Sequence, residues 1–265
     1  MTWAEMQPLL QNACLDTLFM VWWSTVYTIL GGLPLGILLV LTDRGGLLQN
    51  TVVNKAVGVV VNLGRSLPFI VLMVWLIPFS RFVVGTSIGP SAAVVALAIG
   101  AIPFFARLVE TALREVDHGL VEAVQSMGGG TWTVIFKVLL PQALPSVIAG
   151  LTTTVIALIG YSAMAGAVGG GGLGNLAIVY GYQRSETGLM NITIVLLIVI
   201  VTAVQLAGDL AVRTLARRGG RQAAPAGLRR LWASAPAAKP ADRSGAQPAA
   251  TVPAQAGAPE ADRAS

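Results

Sequence analysis

The sequence predicts an all-α integral membrane protein with five transmembrane helices, and three observations predict it. Hydrophobic residues make up 55% of the 265-residue chain and charged residues only 11%, against roughly 25% charged in an ordinary soluble protein. The mean hydropathy is +0.74. Apolar runs of about 20 residues, the length needed to cross roughly 30 Å of hydrocarbon, recur along the chain. A soluble globule of this size needs far more charge to cover its surface, so the composition argues against a cytosolic enzyme.

The charge is unevenly placed. Residues 1–212 hold 8 Lys/Arg against 9 Asp/Glu, and residues 213–265 hold 9 against 3. The sequence pI near 9.9 therefore comes from a basic tail and gives no reason to expect a nucleic-acid partner. Cys14, the single cysteine, cannot form an intramolecular disulfide or a multi-cysteine metal site. It reads as a small apolar filler. No cofactor or metal is expected.

The first predicted span is Leu18–Leu41, with no charge from Thr17 to Thr42. Glu5 and Asp16 precede it without a Lys or Arg, and the run is too long for the apolar region of a signal peptide. Gly31, Gly32, Pro34 and Gly36 lie inside it, which is tolerable where helices pack closely. The second span falls within Ala56–Val84. Arg at a bilayer centre costs about 2.5–3.5 kcal/mol on insertion scales. That cost places Arg65 near a membrane face, the spanning part at Leu67–Val84, and the preceding segment along the interface. A turn-rich stretch, Gly85–Pro90, leads into the third span, Pro90–Ala106. The fourth runs from Gln142 to Val168 and the fifth from Leu189 to Leu210, with Asp209 at its far end.

Lys/Arg placement orients these spans. With the N-terminus outside and the C-terminus inside, the inner segments hold Arg44, Lys55, Arg65, Arg107, Arg114, Lys137 and the basic tail, and the outer ones only Arg81 and Arg184. Two regions follow: a membrane domain, 1–212, and a cytoplasmic tail, 213–265. The stretch 219–265 contains 16 Ala and 6 Pro with Trp232 as its only aromatic. It cannot bury enough apolar area to offset its ordering entropy, so disorder is expected. Arg213, Arg217, Arg218 and Arg221 would hold the last span at an anionic leaflet.

Between spans three and four an inner loop carries Arg107, Glu110, Arg114, Glu115, Asp117, Glu122 and Lys137. Leu120, Ala123, Val124 and Met127 fall at i, i+3, i+4 and i+7, an apolar helical stripe. Gly128-Gly129-Gly130 stops that helix, since Gly suits the left-handed position past a C-terminus. Thr131 is the expected N-cap of a second helix, Trp132–Leu140, which Pro141 ends, and Pro145 would sit in the first turn of span four. An exposed apolar helix face needs a partner.

Glu122-Ala123-Val124, three residues, Gly128, nine residues, then Val138-Leu139-Leu140-Pro141 resembles the cytoplasmic EAA motif of ATP-binding-cassette importer permeases. Val124 replaces the motif's second Ala and Val138 its Ile, both mild apolar changes. The resemblance implies a coupling helix docked on a separate ATPase subunit, with Glu122, Ala123, Val124, Met127, Gly128, Leu140 and Pro141 as the coupling residues. Gly160–Val168 with Gly169–Gly174, Arg65-Ser66-Leu67-Pro68-Phe69 and Val84–Gly89 are similar to the methionine-importer branch, over most of residues 10–215. That branch implies a homodimeric channel, two ATPase subunits on the inner side and an extracytoplasmic binding protein. It would deliver L-methionine, with D-methionine as a further substrate. Permeases for betaine, taurine or phosphonate share the coupling motif and form the alternative.

Other chemistries fit less well. The glycine run at 169–172 lacks the Gly-Lys-Ser/Thr ending of a phosphate loop, and Gly128–Gly130 fails the same test. Ser162 sits in a Gly-Tyr-Ser-Ala context, but His118, the single histidine, lies on the inner loop, out of a base's reach. An ion-coupled secondary transporter usually keeps carboxylates, His or Lys within its spans, and these spans are nearly free of them. A zwitterion would then cross without meeting a strong countercharge. The candidate pathway residues are Tyr161, Ser162 and Met164 on span four, with Met164 as gate, and Met190 and Asn191 at the outer end of span five.

Overall fold

The computed structural model describes residues 3–218. Among the described residues there are helices and turns but no strand. Four uninterrupted helical stretches are long and apolar enough to cross a membrane: Ala4–Thr42, Pro90–Arg114, Thr131–Ala167 and Thr187–Ala216. A fifth crossing is broken. The basic Ala/Pro-rich segment lies outside the described residues, except that the last helix runs on to Arg218, past the expected boundary at 212.

Helix α1 (Trp3–Thr42) is much longer than its predicted span. It runs parallel to α5 (Pro90–Arg114), and the two are fitted through small residues. A Cβ on Gly31 would meet Ile102, one on Gly32 would meet Phe105, and one on Gly36 would lie 2.6 Å from Val109 Cβ and 2.7 Å from the Ala106 carbonyl oxygen. The Ser24 hydroxyl donates to the Val94 carbonyl across the same seam (3.3 Å). In lipid the hydrophobic effect cannot drive helices together, so close backbone approach supplies the packing energy. Helix α5 is the centre of the bundle, buried along its length from Ala92 to Leu113.

Span two differs from expectation. It is three helices, α2 (Thr51–Ser66), α3 (Phe69–Trp75) and α4 (Ile77–Val84), with a bend of 103° between the first two. Leu67 and Pro68 are extended rather than helical, because Pro disfavours the α conformation in the residue before it. Helix α2 does not lie apart from the bundle. The Asn54 amide donates to the Leu39 carbonyl (2.8 Å) and the Thr42 hydroxyl (3.2 Å) at the end of α1. Val61 is buried with Leu39 and Ala106. Gly64 then sits on the ring of Pro103, one helical turn before Arg107, the first charged residue of α5.

The fourth crossing also departs from the expected pattern. Thr131 is the first helical residue, not the cap, and Gly130 caps it. From α7 (Thr131–Val134) the chain passes through a π-helical turn, Ile135–Leu139, straight into α8 (Leu140–Ala167). Pro141 therefore does not end a helix. The π turn re-routes the Leu140 N–H to the Ile135 carbonyl, and the wider register absorbs a residue that has no N–H to give. Pro145 is inside α8.

Positive-φ glycines at 169, 171 and 172 turn the chain from α8 into α9 (Gly172–Leu176). The Thr17 hydroxyl accepts from the Leu173 N–H (2.9 Å) and Gly89 N–H donates to Gly169 (2.9 Å), so this loop ties α8 to α1 and α5. A π turn, Ala177–Gln183, follows, and α10 (Thr187–Arg218) closes the bundle against α8.

At the opposite end the charges form one network. Glu110 is buried and accepts from Arg107 (2.6 Å) and from Arg114 (2.8 and 3.0 Å), and Arg114 reaches on to Asp43 at the end of α1 (2.6 Å). Two arginines and two carboxylates balance. Removing one partner of a buried pair costs about 3–5 kcal/mol. Glu110→Ala is thus expected to lower the melting temperature in detergent far more than Arg107→Gln, whose side chain is half exposed. Gly36→Ala should also destabilise, by about 1–3 kcal/mol of overpacking. Gly58→Ala, whose nearest neighbour would be 4.0 Å away, should leave melting unchanged.

Candidate functional site: the α6 surface and the face of α8

Helix α6 (His118–Ser126) begins where Asp117 accepts from the Gly119 N–H (2.8 Å), an N-cap that satisfies one free donor of the first turn. His118 is therefore its first residue, exposed, rather than part of a loop. Its other end is a Schellman motif: Gly129 N–H donates to the Val124 carbonyl and Gly128 N–H to Gln125 (both 2.9 Å). Gly128 has φ +82, in the left-handed region that only Gly occupies without strain.

The predicted stripe is divided between two directions. Val121 and Val124 pack against the cluster built on Val109, Val134 and Leu139. Leu120, Ala123 and Met127 face outward with Glu122, and Met127 is 78% exposed. The packed side fixes the helix and leaves the other side free. Leu140 is half-buried on the same cluster, while Pro141 is exposed on the continuous helix beyond.

The same surface holds two residues that the sequence reading missed. Trp132 and Phe136, 72% and 61% exposed, stack on each other at 5.8 Å. Their i, i+4 spacing directly after the glycines was the available signal. Beside α6 a cavity of about 280 Å³ is lined by Asp43, Arg44, Arg114, His118, Glu122 and Gln125 among others. The Asp43 carboxyl is held below the usual carboxylate range, first by the Arg44 backbone N–H at 2.8 Å and also by Arg114.

The pathway candidates are not all together. Along α8, Thr153, Gly160, Met164 and Ala167 are exposed on one face, with Met164 at 50%. Tyr161 borders that face and stacks on Phe69 of α3, centroids 4.5 Å apart and planes within 10°. Ser162 points the other way, buried, its hydroxyl donating to the Ile159 carbonyl (2.8 Å). This is the role a hydroxyl takes inside a membrane helix. On α10, Met190 packs on Gly181 while Asn191 is exposed. Among the described residues no group of His, Cys, Asp and Glu could hold a metal ion.

Comparison with known proteins places this architecture. A permease from Vibrio cholerae, described as a probable D-methionine transport system permease protein, is 52% identical over 210 residues, covering 79% of this chain and 93% of its own. The methionine import system permease protein of Bacillus subtilis is 49% identical, over 79% of this chain and 94% of its own. A solved inward-facing structure of the MetNI methionine ABC transporter has a chain that superposes with a TM-score of 0.79 at 46% identity, over 81% of this chain and 99% of that one. The family model for binding-protein-dependent transport system inner membrane components matches residues 32–219. With its broken second crossing, its central α5 and its projecting α6, this multi-pass chain belongs to that family of transport permeases.

Proposed function

We propose that the chain forms half of the membrane channel of a methionine importer powered by a separate ABC ATPase. The observation that carries the reading is α6. It is held rigidly on one side, ended by a Schellman turn, and apolar on a side with nothing on it. Such a helix is built to receive a partner protein. An ATPase subunit docks there, one per chain, with Glu122 at the docked end and Leu120, Ala123 and Met127 in its groove. Trp132 and Phe136 extend the contact.

A second copy completes the channel, because one bundle of five crossings is too thin to enclose a pore, and a twofold axis along that pore is the simplest closed arrangement. The α6 end faces the cytoplasm and the glycine-loop end faces outward. The positive charges at Arg44, Lys55, Arg107, Arg114 and Lys137 support this N-out, C-in orientation. A binding protein delivers methionine, L or D, to the outer face. ATP binding draws the two ATPases together, and the motion of α6 alternates the channel between outward-open and inward-open states.

Met164 on the open face of α8 is the gate, steadied by the neighbouring Tyr161–Phe69 stack. Asn191 stands at the outer entrance with Met190 behind it. Ser162, turned inward, keeps no part in the pathway. The strong similarity to methionine permeases favours methionine over betaine, taurine or phosphonate. The shortage of His, Lys and carboxylates in the crossings disfavours an ion-coupled carrier.

Reconstitution with the ATPase and binding protein tests the assignment. Glu122→Arg and Gly128→Val should insert normally yet lose about ten-fold or more of ATP-driven methionine uptake; for the latter, a left-handed φ costs about 1–2 kcal/mol. Parental uptake in both variants would overturn the coupling assignment. Met164→Ala should raise methionine leak through vesicles without ATP, and a leak equal to the parent's would remove Met164 as the gate.

A further inference from the structure

We propose that the furrow between α1 and α5 binds one acyl chain of an outer-leaflet phospholipid. Helix α2 fills the inner half of that furrow, where Val61 packs with Leu39 and Ala106 and Gly64 meets Pro103. The chain then bends away by 103° and returns as α4 along the opposite rim. The outer half stays open as a cavity of about 640 Å³. Trp23 and Tyr27 of α1 wall it on one side, Phe79 and Val83 of α4 on the other, and Val95 and Ile102 of α5 lie along its floor. Apart from Ser91 at the mouth, the lining is aliphatic or aromatic. Trp23 and Tyr27 stack at 6.1 Å, so one wall is a continuous surface of rings.

The dimensions select the occupant. From Ser91 to Ile102 the floor is about 16 Å long at 1.5 Å per residue, one leaflet of a hydrocarbon layer roughly 30 Å thick. Its mouth is next to Pro90, which Gly171 of the glycine loop meets together with Asp16, at the end that the proposed orientation sets outside. The volume of about 640 Å³ over that length leaves a cross-section of about 40 Å², about half or less that of a helix 10–12 Å across. A helix of a second copy is too wide to enter, whereas a hydrocarbon chain fits. The furrow also looks away from the proposed channel. Gly150 of α8 meets α5 at Leu108, six residues from Ile102 and so about 120° around the helix from it. A second copy that shares the channel leaves the furrow to lipid. Left empty, the cavity would forfeit the dispersion contacts of its lining. A chain enclosed on three sides touches more atoms than one on the outward side of α1, where Leu15, Leu18 and Trp22 are exposed, and so leaves more slowly. The choice of leaflet, and of lipid over a second copy, rests on the reading of this chain as half of a channel with its N-terminus outside.

The test uses the whole importer, this chain with its ATPase, in vesicles containing a phosphatidylethanolamine with a diazirine midway along one acyl chain. The complex is extracted, washed in lipid-free detergent and irradiated, and the cross-links are mapped by mass spectrometry. About one labelled lipid per chain should survive the wash. Cross-links to Trp23, Val95 and Ile99 should exceed those to Leu15, Leu18 and Trp22 several-fold. Val95→Trp, which fills the floor, should lower the retained lipid about five-fold or more. If that variant fails to insert, Ser91→Trp, which blocks the mouth, should do the same. Parental retention in the variant that inserts, labels spread evenly over both sets of residues, or no retained lipid at all overturns the proposal; the last is also the result if a second copy fills the furrow. Methionine uptake by the parent vesicles with the binding protein is read separately. Its failure would overturn the functional reading, while the cross-links still decide the lipid site.

Discussion

Close contact between α1 and α5 is the constraint on which the rest of the bundle depends. Three glycines of α1 present bare backbone to Ile102, Phe105 and Val109, and the two helices lie parallel from the level of Asp16 and Pro90 to the salt bridge between Asp43 and Arg114. That pair defines a slab against which every other crossing is placed. Helix α2 docks on it through Asn54, Val61 and Gly64, α8 covers its other side, and the glycine loop locks its far end through Thr17 and Gly89. Hydrophobicity places all these helices in a membrane, but it does not choose their neighbours. Steric fit and a few hydrogen bonds do.

The α6 surface shows the same economy at its own scale. One face is bound to the bundle by two valines, while an aspartate caps one terminus of the helix and a pair of glycines closes the other. Nothing in that arrangement requires the outward side to be apolar, so the exposure of Leu120, Met127, Trp132 and Phe136 is accounted for by the docking proposed above. The Glu110 network lies just beneath. Two arginines are balanced there by Glu110 and Asp43, which ties the end of α5 to the end of α1 beneath the proposed docking surface.

Most of the fold was legible in the sequence because membrane spans are read from length and polarity alone. The number of crossings, the polar loop and the stop at Gly128 all follow from that logic. What escaped were the interruptions. Span two looked like a single helix from Leu67 to Val84 because the run stays apolar across the joint at Leu76, and the docking of α2 through Val61 and Gly64 depends on neighbours distant in the chain. Pro141 looked like a helix end because a proline removes a donor, yet a π turn supplied the missing register. At the site, the period-3.6 stripe located α6 correctly but could not divide its apolar residues between inward and outward. Ser162 and Met164 likewise differ only in the direction each takes around α8, and a sequence without neighbours carries no such direction.

The uninterrupted path through Pro141 has a mechanical consequence. Residues 131–167 form one helical rod, about 55 Å long at 1.5 Å per residue, with Trp132 at one end and Met164 near the other. Had Pro141 broken it, a push at the docking end would have been absorbed in a flexible joint. As one continuous helix packed on α5, it would serve the proposed coupling as a lever with α5 as its fulcrum. A tilt of about 5° about a fulcrum at mid-length would move each end by roughly 2.5 Å, so on the proposed reading a small stroke at the docking surface is passed to Met164 as a movement of the same size.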